Sequence, residues 1–221
     1  MTTASHDELS LRYVKSVPSG QADDAQLPLV VCMHGRGADA NDLAGVAPMI
    51  DGAGGYRFLF PNAAKPFEPY PGMRYGWSWF EGWPPAPGSI LDSRQSILTF
   101  LDEAVARYPT PPGKIALTGF SQGGLMALDA GFRTRSPLAA IVVMSGAVYE
   151  DDLPDLRARR EQPVLLVHGT QDEVISVLAA RRTRLVLEEH GIRPEYEEFP
   201  MGHFVTPESL RTVSAFLARH L

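Results

Sequence analysis

Apolar residues fall along this chain in two patterns, short unbroken runs and helical repeats, and the two alternate. Leu9, Leu11 and Tyr13 alternate with polar neighbours, which predicts a half-buried edge strand. Residues 29–33 are apolar throughout, as expected of a strand covered on both faces, and runs of similar character at 56–60, 114–117, 138–144 and 163–167 predict further strands. Residues 195–199 complete the set. Between the strands, helical spacing is loose over 41–50 and clear through Ile90, Ile97, Leu101, Val105 and Tyr108, then through Met126, Leu128 and Ala130, and again through Leu178, Leu185 and Val186. The last of these helices stops with His190 in its final turn, Gly191 as its cap and Pro194 beyond. A further helix starts with Thr206 as N-cap and Pro207 at its first position, and buries Leu210, Val213 and Leu217. This alternation predicts one α/β domain over residues 1–221, with a mostly parallel central sheet of about seven strands flanked by helices. Chemistry in such sheets collects beyond the carboxyl ends of the strands.

The alternation breaks at residues 62–88, where prolines intersperse with Phe67, Tyr70, Tyr75, Trp77, Trp79, Phe80 and Trp83. A disordered insertion would not carry all 3 tryptophans of the chain, so this stretch is expected to be an ordered, preformed wall beside an apolar substrate. Trp79 and Phe80 are the residues expected to line the pocket, although such aromatics also serve to seal the edge of a core. Its prolines forbid a sustained helix, which argues against a mobile amphipathic lid.

At 221 residues and 44% hydrophobic composition, the chain can bury about 70–75% of its unfolded surface without a second domain. A net charge of −6 and no long basic block argue against a nucleic-acid partner. No apolar run reaches the length of a membrane span, and residues 1–8 have neither a basic start nor an apolar core of the signal-peptide kind. The single cysteine, Cys32, lies inside an apolar strand and fits a reducing cytoplasm. No H-E-x-x-H, cysteine pair, P-loop or G-x-G-x-x-G is present, so neither a metal nor a nucleotide cofactor is expected. Oligomeric state is open, a homodimer being one arrangement the sequence allows.

Candidate chemistry centres on Gly119-Phe120-Ser121-Gln122-Gly123-Gly124, a glycine-flanked serine between an apolar strand and a helix-period pattern. A strand that reverses into a helix in so few residues holds the Ser121 hydroxyl out on a sharp turn. A serine needs a base to take its proton and a third group to hold that base, and the elbow arrangement orders them Ser, acid, His. Of the 6 histidines, that order leaves His6, His34 and His168 at most structural roles; His190 is explained as a helix end and His220 lies beside the chain end. His203, just past the last strand, is the expected base. Asp172, a few residues past a strand end, is the expected acid, with Glu173 as a neighbour and Glu150, Asp151 and Asp152 as the fallback. The backbone N–H groups of Arg36, in a glycine-rich turn after residues 29–33, and of Gln122 are the expected oxyanion donors.

Together with His34-Gly35-Arg36-Gly37-Ala38-Asp39, His168-Gly169-x-x-Asp172 and Gly202-His203, the elbow resembles the phospholipase/carboxylesterase family of alpha/beta hydrolases, nearly the whole chain from Leu29 on. The resemblance implies an alpha/beta-hydrolase fold without a large cap domain. It also implies a Ser121–Asp172–His203 triad, an oxyanion hole at Arg36 and Gln122, and an acyl pocket at Trp79-Phe80. The implied activity is cofactor-free hydrolysis of small carboxylic esters, with acyl-protein thioesterase or lysophospholipase activity as the alternative. A non-catalytic ligand-binding protein of the same fold is the alternative from another class. The chain departs from many thioesterase members at Arg36, where they carry leucine, and at Ser176, where proline is common.

Overall fold

The strands that read as unbroken apolar runs occupy the interior of one eight-stranded sheet, and the polar ones form its edges. The computed structural model describes residues 1–51, 55–82, 85–86 and 88–221. In chain order the elements begin with β1 (Thr2–His6), β2 (Tyr13–Val17), β3 (Leu29–Met33), α1 (Ala40–Ala44), α2 (Ala47–Ile50) and β4 (Arg57–Pro61). A short pair, β5 (Lys65–Pro66) and β6 (Trp77–Ser78), precedes α3 (Ser89–Arg107), β7 (Ile115–Phe120), α4 (Gln122–Gly131) and β8 (Ala140–Met144). The chain closes with β9 (Val164–Gly169), α5 (Val177–Glu189), β10 (Glu195–Phe199) and α6 (Pro207–His220).

The sheet order is β1-β2-β4-β3-β7-β8-β9-β10, with β1–β2 and β2–β4 antiparallel and every later pairing parallel. Parallel pairing brings the carboxyl ends of β3, β7, β8, β9 and β10 to one rim. Side chains alternate between two cores: Leu29, Val31 and Met33 of β3 face the layer holding α3 and α4, whereas Val30 and Cys32 face α1, α2 and α6. At about 1.5–3 kcal/mol for each fully buried large aliphatic side chain, this two-sided burial makes the middle strands the rigid part of the scaffold. Outer strand β10, Glu195-Tyr196-Glu197-Glu198-Phe199, carries charges that discourage pairing with another chain.

Four expectations change. The sheet has eight strands because Thr2–His6, polar and almost wholly exposed, adds an edge that hydrophobic patterning could not register. Leu9 and Leu11 do not form that edge; the chain turns there, Ser10 N–H donates to Glu103 at 2.6 Å, and Leu11 and Tyr13 are buried against the end of the core. Residues 41–50 make two short helices, α1 and α2, with Val46 N–H turning back to the Leu43 carbonyl between them. Finally, the proline-rich stretch has structure of its own: β5 and β6 form a small antiparallel pair, while Trp83, Pro84 and Pro87 of the expected wall lie outside the described residues.

Candidate active site

The turn from β7 into α4 works only because backbones approach where side chains would stand. A Cβ on Gly119 would sit 2.1 Å from the Gly123 carbonyl oxygen, and one on Gly123 would sit 2.1 Å from that of Met33. Glycine at both positions lets α4 start directly against β7 and β3. Ser121 takes φ 55° and ψ −119°, a strained backbone for a residue with a side chain, anchored by its N–H on the Met144 carbonyl at 2.8 Å. Such strain costs on the order of 1–3 kcal/mol and persists where neighbours enforce it. It leaves the hydroxyl at the rim, on a residue only 7% exposed.

His203 Nε2 lies 2.9 Å from Ser121 Oγ, and His203 Nδ1 lies 2.8 Å from Asp172 Oδ2. A carboxylate only accepts, so Nδ1 carries the proton and Nε2 presents its lone pair to the serine hydroxyl. The second carboxylate oxygen, Oδ1, accepts from Val174 N–H at 2.9 Å and Ile175 N–H at 2.8 Å. Burial works to raise the Asp172 pKa, but the hydrogen bond from His203 and those from Ile175 and Val174 outweigh it and hold the carboxyl below its ordinary range. The loops of Asp172 and His203 are locked together by another close approach, since a Cβ on Gly169 would meet the Met201 carbonyl oxygen at 2.2 Å. Gln171 N–H also donates to that carbonyl, at 3.1 Å.

Two histidines set aside as bases turn out to brace the site. His168 Nε2 donates to the Ile175 carbonyl at 2.7 Å and lies 3.4 Å from Asp172 Oδ2; burial lowers its pKa, keeping it neutral beneath the acid. His34 bonds the Gly35 carbonyl through Nδ1 at 2.7 Å and accepts the Ala63 N–H on Nε2 at 3.1 Å, and burial likewise lowers its pKa. Two of the fallback acids are engaged elsewhere, Glu150 with Arg182 and Asp152 with Arg94, while Asp151 and Glu173 are exposed.

Neither the Arg36 nor the Gln122 backbone N–H donates to a protein acceptor among the described residues. Gln122 has a second task that its motif did not announce. Its side-chain oxygen accepts from Ser78 Oγ at 3.1 Å and Trp79 N–H at 3.0 Å, and its nitrogen donates to the Phe80 carbonyl at 2.8 Å. The elbow thus grips residues 78–80 directly. On the other side, Gly37 N–H donates to the Trp77 carbonyl at 2.8 Å and Trp77 N–H to Ala38 at 2.9 Å, so the Arg36 turn is fastened to β6.

Trp79 does not present the expected wall, whereas Phe80, although buried, borders the cleft beside it. They are 1% and 0% exposed and pack in the core with Met33, Ile90 and Leu125, and the Trp79 indole N–H donates to the His34 carbonyl at 2.9 Å. Once that polar edge is satisfied inside, burial of the whole ring is the favoured arrangement. The open space lies to either side: a cleft of about 330 Å³ runs along Arg36, Phe67, Ser78 and Glu81, and one of about 260 Å³ along Leu125, Ala147, Val148 and Ala179. Among the described residues no group of three or more His, Cys, Asp or Glu side chains is suited to hold a metal ion, and no helix is long and apolar enough to cross a membrane.

Similarity to known proteins follows the same geometry. Residues 17–221 match the model of the family described as Phospholipase/Carboxylesterase. Acyl-protein thioesterase 1 of Gibberella zeae is 34% identical over 116 residues, 50% of this chain and 49% of that protein. Carboxylesterase SOBER1 of Arabidopsis thaliana is 27% identical over 183 residues, 74% of this chain and 77% of that one. The chain spans about half the length of the thioesterases it matches, 49% for the Gibberella protein and 48% for one from Neurospora crassa. Among solved structures, esterase PE8 superposes with a TM-score of 0.77 at 29% identity, covering 97% of this chain and 100% of its own. A carboxylesterase from Mesorhizobium loti, 19% identical with a TM-score of 0.81 over 99% of both chains, shares the fold. With an elbow serine at the end of a parallel strand, a sheet order that places acid and histidine on later strand ends, and a family match over nearly its full length, this chain belongs to the phospholipase/carboxylesterase family of alpha/beta hydrolases.

Proposed function

We propose that the protein is a cofactor-free serine hydrolase that cleaves small carboxylic esters through an acyl-enzyme. The observation that carries this reading is the unbroken chain of contacts from Ser121 Oγ through His203 to Asp172, 2.9 Å and 2.8 Å, with two unengaged N–H groups beside it. Ser121 Oγ attacks the ester carbonyl as His203 Nε2 takes its proton. Asp172 holds the ring in the Nδ1–H tautomer and stabilises the imidazolium that forms. The N–H groups of Arg36 and Gln122 donate to the developing oxyanion, and the tetrahedral adduct collapses when His203 returns the proton to the leaving alkoxide. Water then repeats the sequence on the acyl-enzyme.

The match to an acyl-protein thioesterase favours thioesters as a second substrate class. A fluorophosphonate probe with mass mapping, followed by an ester and thioester panel, tests both. Covalent labelling at Ser121, lost in Ser121→Ala together with a fall in turnover on the order of a million-fold, is the expected result. No labelling and no turnover on any acyl donor would leave the ligand-binding reading of this fold. A cytoplasmic setting is part of the proposal, supported by the one cysteine, Cys32, whose burial pushes its thiol pKa up to about 12. Light scattering on the purified chain decides between monomer and homodimer.

A further inference from the structure

Arg36 contributes more to the site than a backbone N–H. Its guanidinium carbon lies 4.6 Å from the centroid of Phe67, over the ring, and it lines the 330 Å³ cleft together with Lys65, Ser78 and Phe80. A guanidinium resting on an aromatic face keeps its in-plane donors free. Among the described residues no carboxylate lies within 4.0 Å of it, in contrast to Arg94, Arg133, Arg181, Arg182, Arg184 and Arg219, each of which is paired with Asp or Glu. Lys65 is held by Asp92 at 3.1 Å, so among the described residues Arg36 is the cation of this cleft without a direct ion-pair partner.

The turn that carries Arg36 is fixed, while the side chain itself is exposed. A Cβ on Gly37 would stand 3.2 Å from Phe67 Cδ1, so the ring lies flush against the turn that carries Arg36, and β6 is bonded to the same turn. One residue thereby offers its N–H to the reacting carbonyl and its charge to whatever occupies the adjoining cleft. Glu68 and Glu81, both exposed, also line that cleft and oppose any negative charge that the guanidinium does not contact directly. Resting on the hydrolase reading above, we infer that Arg36 selects esters that carry a single carboxylate near the scissile bond, such as the monoester of a short dicarboxylic acid. A side chain of five bonds between Cα and the guanidinium carbon spans on the order of 6 Å, which places that carboxylate a few methylenes from the ester carbonyl.

The test compares kcat/KM for a glutarate monoester with that for the neutral butyrate ester of the same alcohol, in wild type, Arg36→Gln and Arg36→Lys, at low and high salt. Because Arg36 is exposed, a charge pair there corresponds to a factor of roughly 2–5. Wild type is expected to favour the glutarate ester, Arg36→Gln to lower the glutarate-to-butyrate ratio by roughly 2–5-fold, and Arg36→Lys to restore part of it. The wild-type preference should shrink with salt. A ratio that is the same in wild type and Arg36→Gln overturns the inference, and if the probe still labels Ser121, the hydrolase reading survives that result. Calorimetric binding of the intact glutarate monoester to Ser121→Ala, with and without Arg36→Gln, reads the charge contact with no turnover at all. Equal binding in the two proteins also overturns it, whatever the outcome of the labelling.

Discussion

Asp172→Asn is the perturbation that separates a working triad from three residues that merely meet. The wild-type carboxylate accepts three hydrogen bonds, two on Oδ1 from Val174 and Ile175 and one on Oδ2 from His203. An asparagine keeps the first two only by placing its oxygen at Oδ1 and its NH₂ against His203 Nδ1. Two donors then face each other, and the ring relieves the conflict by moving its proton to Nε2, where it no longer accepts from Ser121. Loss of a charge-assisted bond to the imidazolium is worth about 1.5–3 kcal/mol, and restoring the useful tautomer leaves an unsatisfied donor worth about 1–3 more. The sum, about 2.5–6 kcal/mol, corresponds to a fall in kcat of roughly a hundred- to ten-thousandfold. Saturation kinetics on a dissolved butyrate ester give the number. Stability offers an independent readout: a carboxyl held below its unfolded pKa of about 3.9 contributes stability that is complete above that pH and is lost as pH falls through the lower folded value. Melting temperatures of wild type and Asp172→Asn should therefore converge in acid, below about pH 4. Near wild-type turnover in the variant, with parallel melting curves, would place the acid elsewhere; Asp151, free of the ion pairs that occupy Glu150 and Asp152, would be next to test.

Gly123→Ala puts a methyl 2.1 Å from the Met33 carbonyl oxygen, so activity should fall with the elbow and the melting temperature should drop; a fully active, equally stable variant would contradict the close-approach argument. Trp79→Ala removes a core ring and leaves the His34 carbonyl without its donor, and should destabilise by about 3–5 kcal/mol in urea titrations. Asp129→Asn removes one of two carboxylates shared by Arg94 and Arg133, which are 13% and 15% exposed and keep Asp152, and should lower stability by about 1–3 kcal/mol while Ser121 labelling of the folded fraction persists. Because β6 is bonded to the Arg36 turn, hydrolysis should follow simple saturation through the solubility limit of the ester; a sharp rise at the onset of emulsion would reveal a lid.

How far the site was legible depended on whether a residue's role left a mark in the local pattern. Gly119, Ser121 and Gly123 are spaced as they are because two backbones touch, and spacing is visible in a sequence; the same holds for Thr206 and Pro207, whose cap was expected and whose box with Ser209 is observed. His203 and Asp172 could be chosen because parallel strands deliver their ends to one rim. The direction in which a long-range side chain points leaves no such mark. Trp79 read equally as wall or as core, and the hydrogen bond that decides in favour of core ends on His34, far off in sequence. Gln122 stood out for its N–H, but its amide grips Ser78, Trp79 and Phe80 across the fold. β1 went unread because an exposed edge strand has no apolar periodicity to betray it.

The positions of those misread side chains bear on how the site can vary. Ser121, His203 and Asp172 are positioned by contacts between main chains: Gly123 on Met33, Gly169 on Met201, Ser121 N–H on Met144. Such contacts are indifferent to most side chains nearby, so the rim residues can change without moving the triad. The Arg36 turn stands between the two regimes, since its backbone is bonded to β6 through Gly37 and Ala38 while its side chain leaves the turn and rests on Phe67 in open cleft. Under the proposed mechanism, exchanging the side chain at this position would alter the charge met by an incoming substrate and leave the N–H in place for the carbonyl oxygen. Specificity and chemistry are thereby separable within a single residue, and position 36 is where a change of substrate charge requires the least rebuilding.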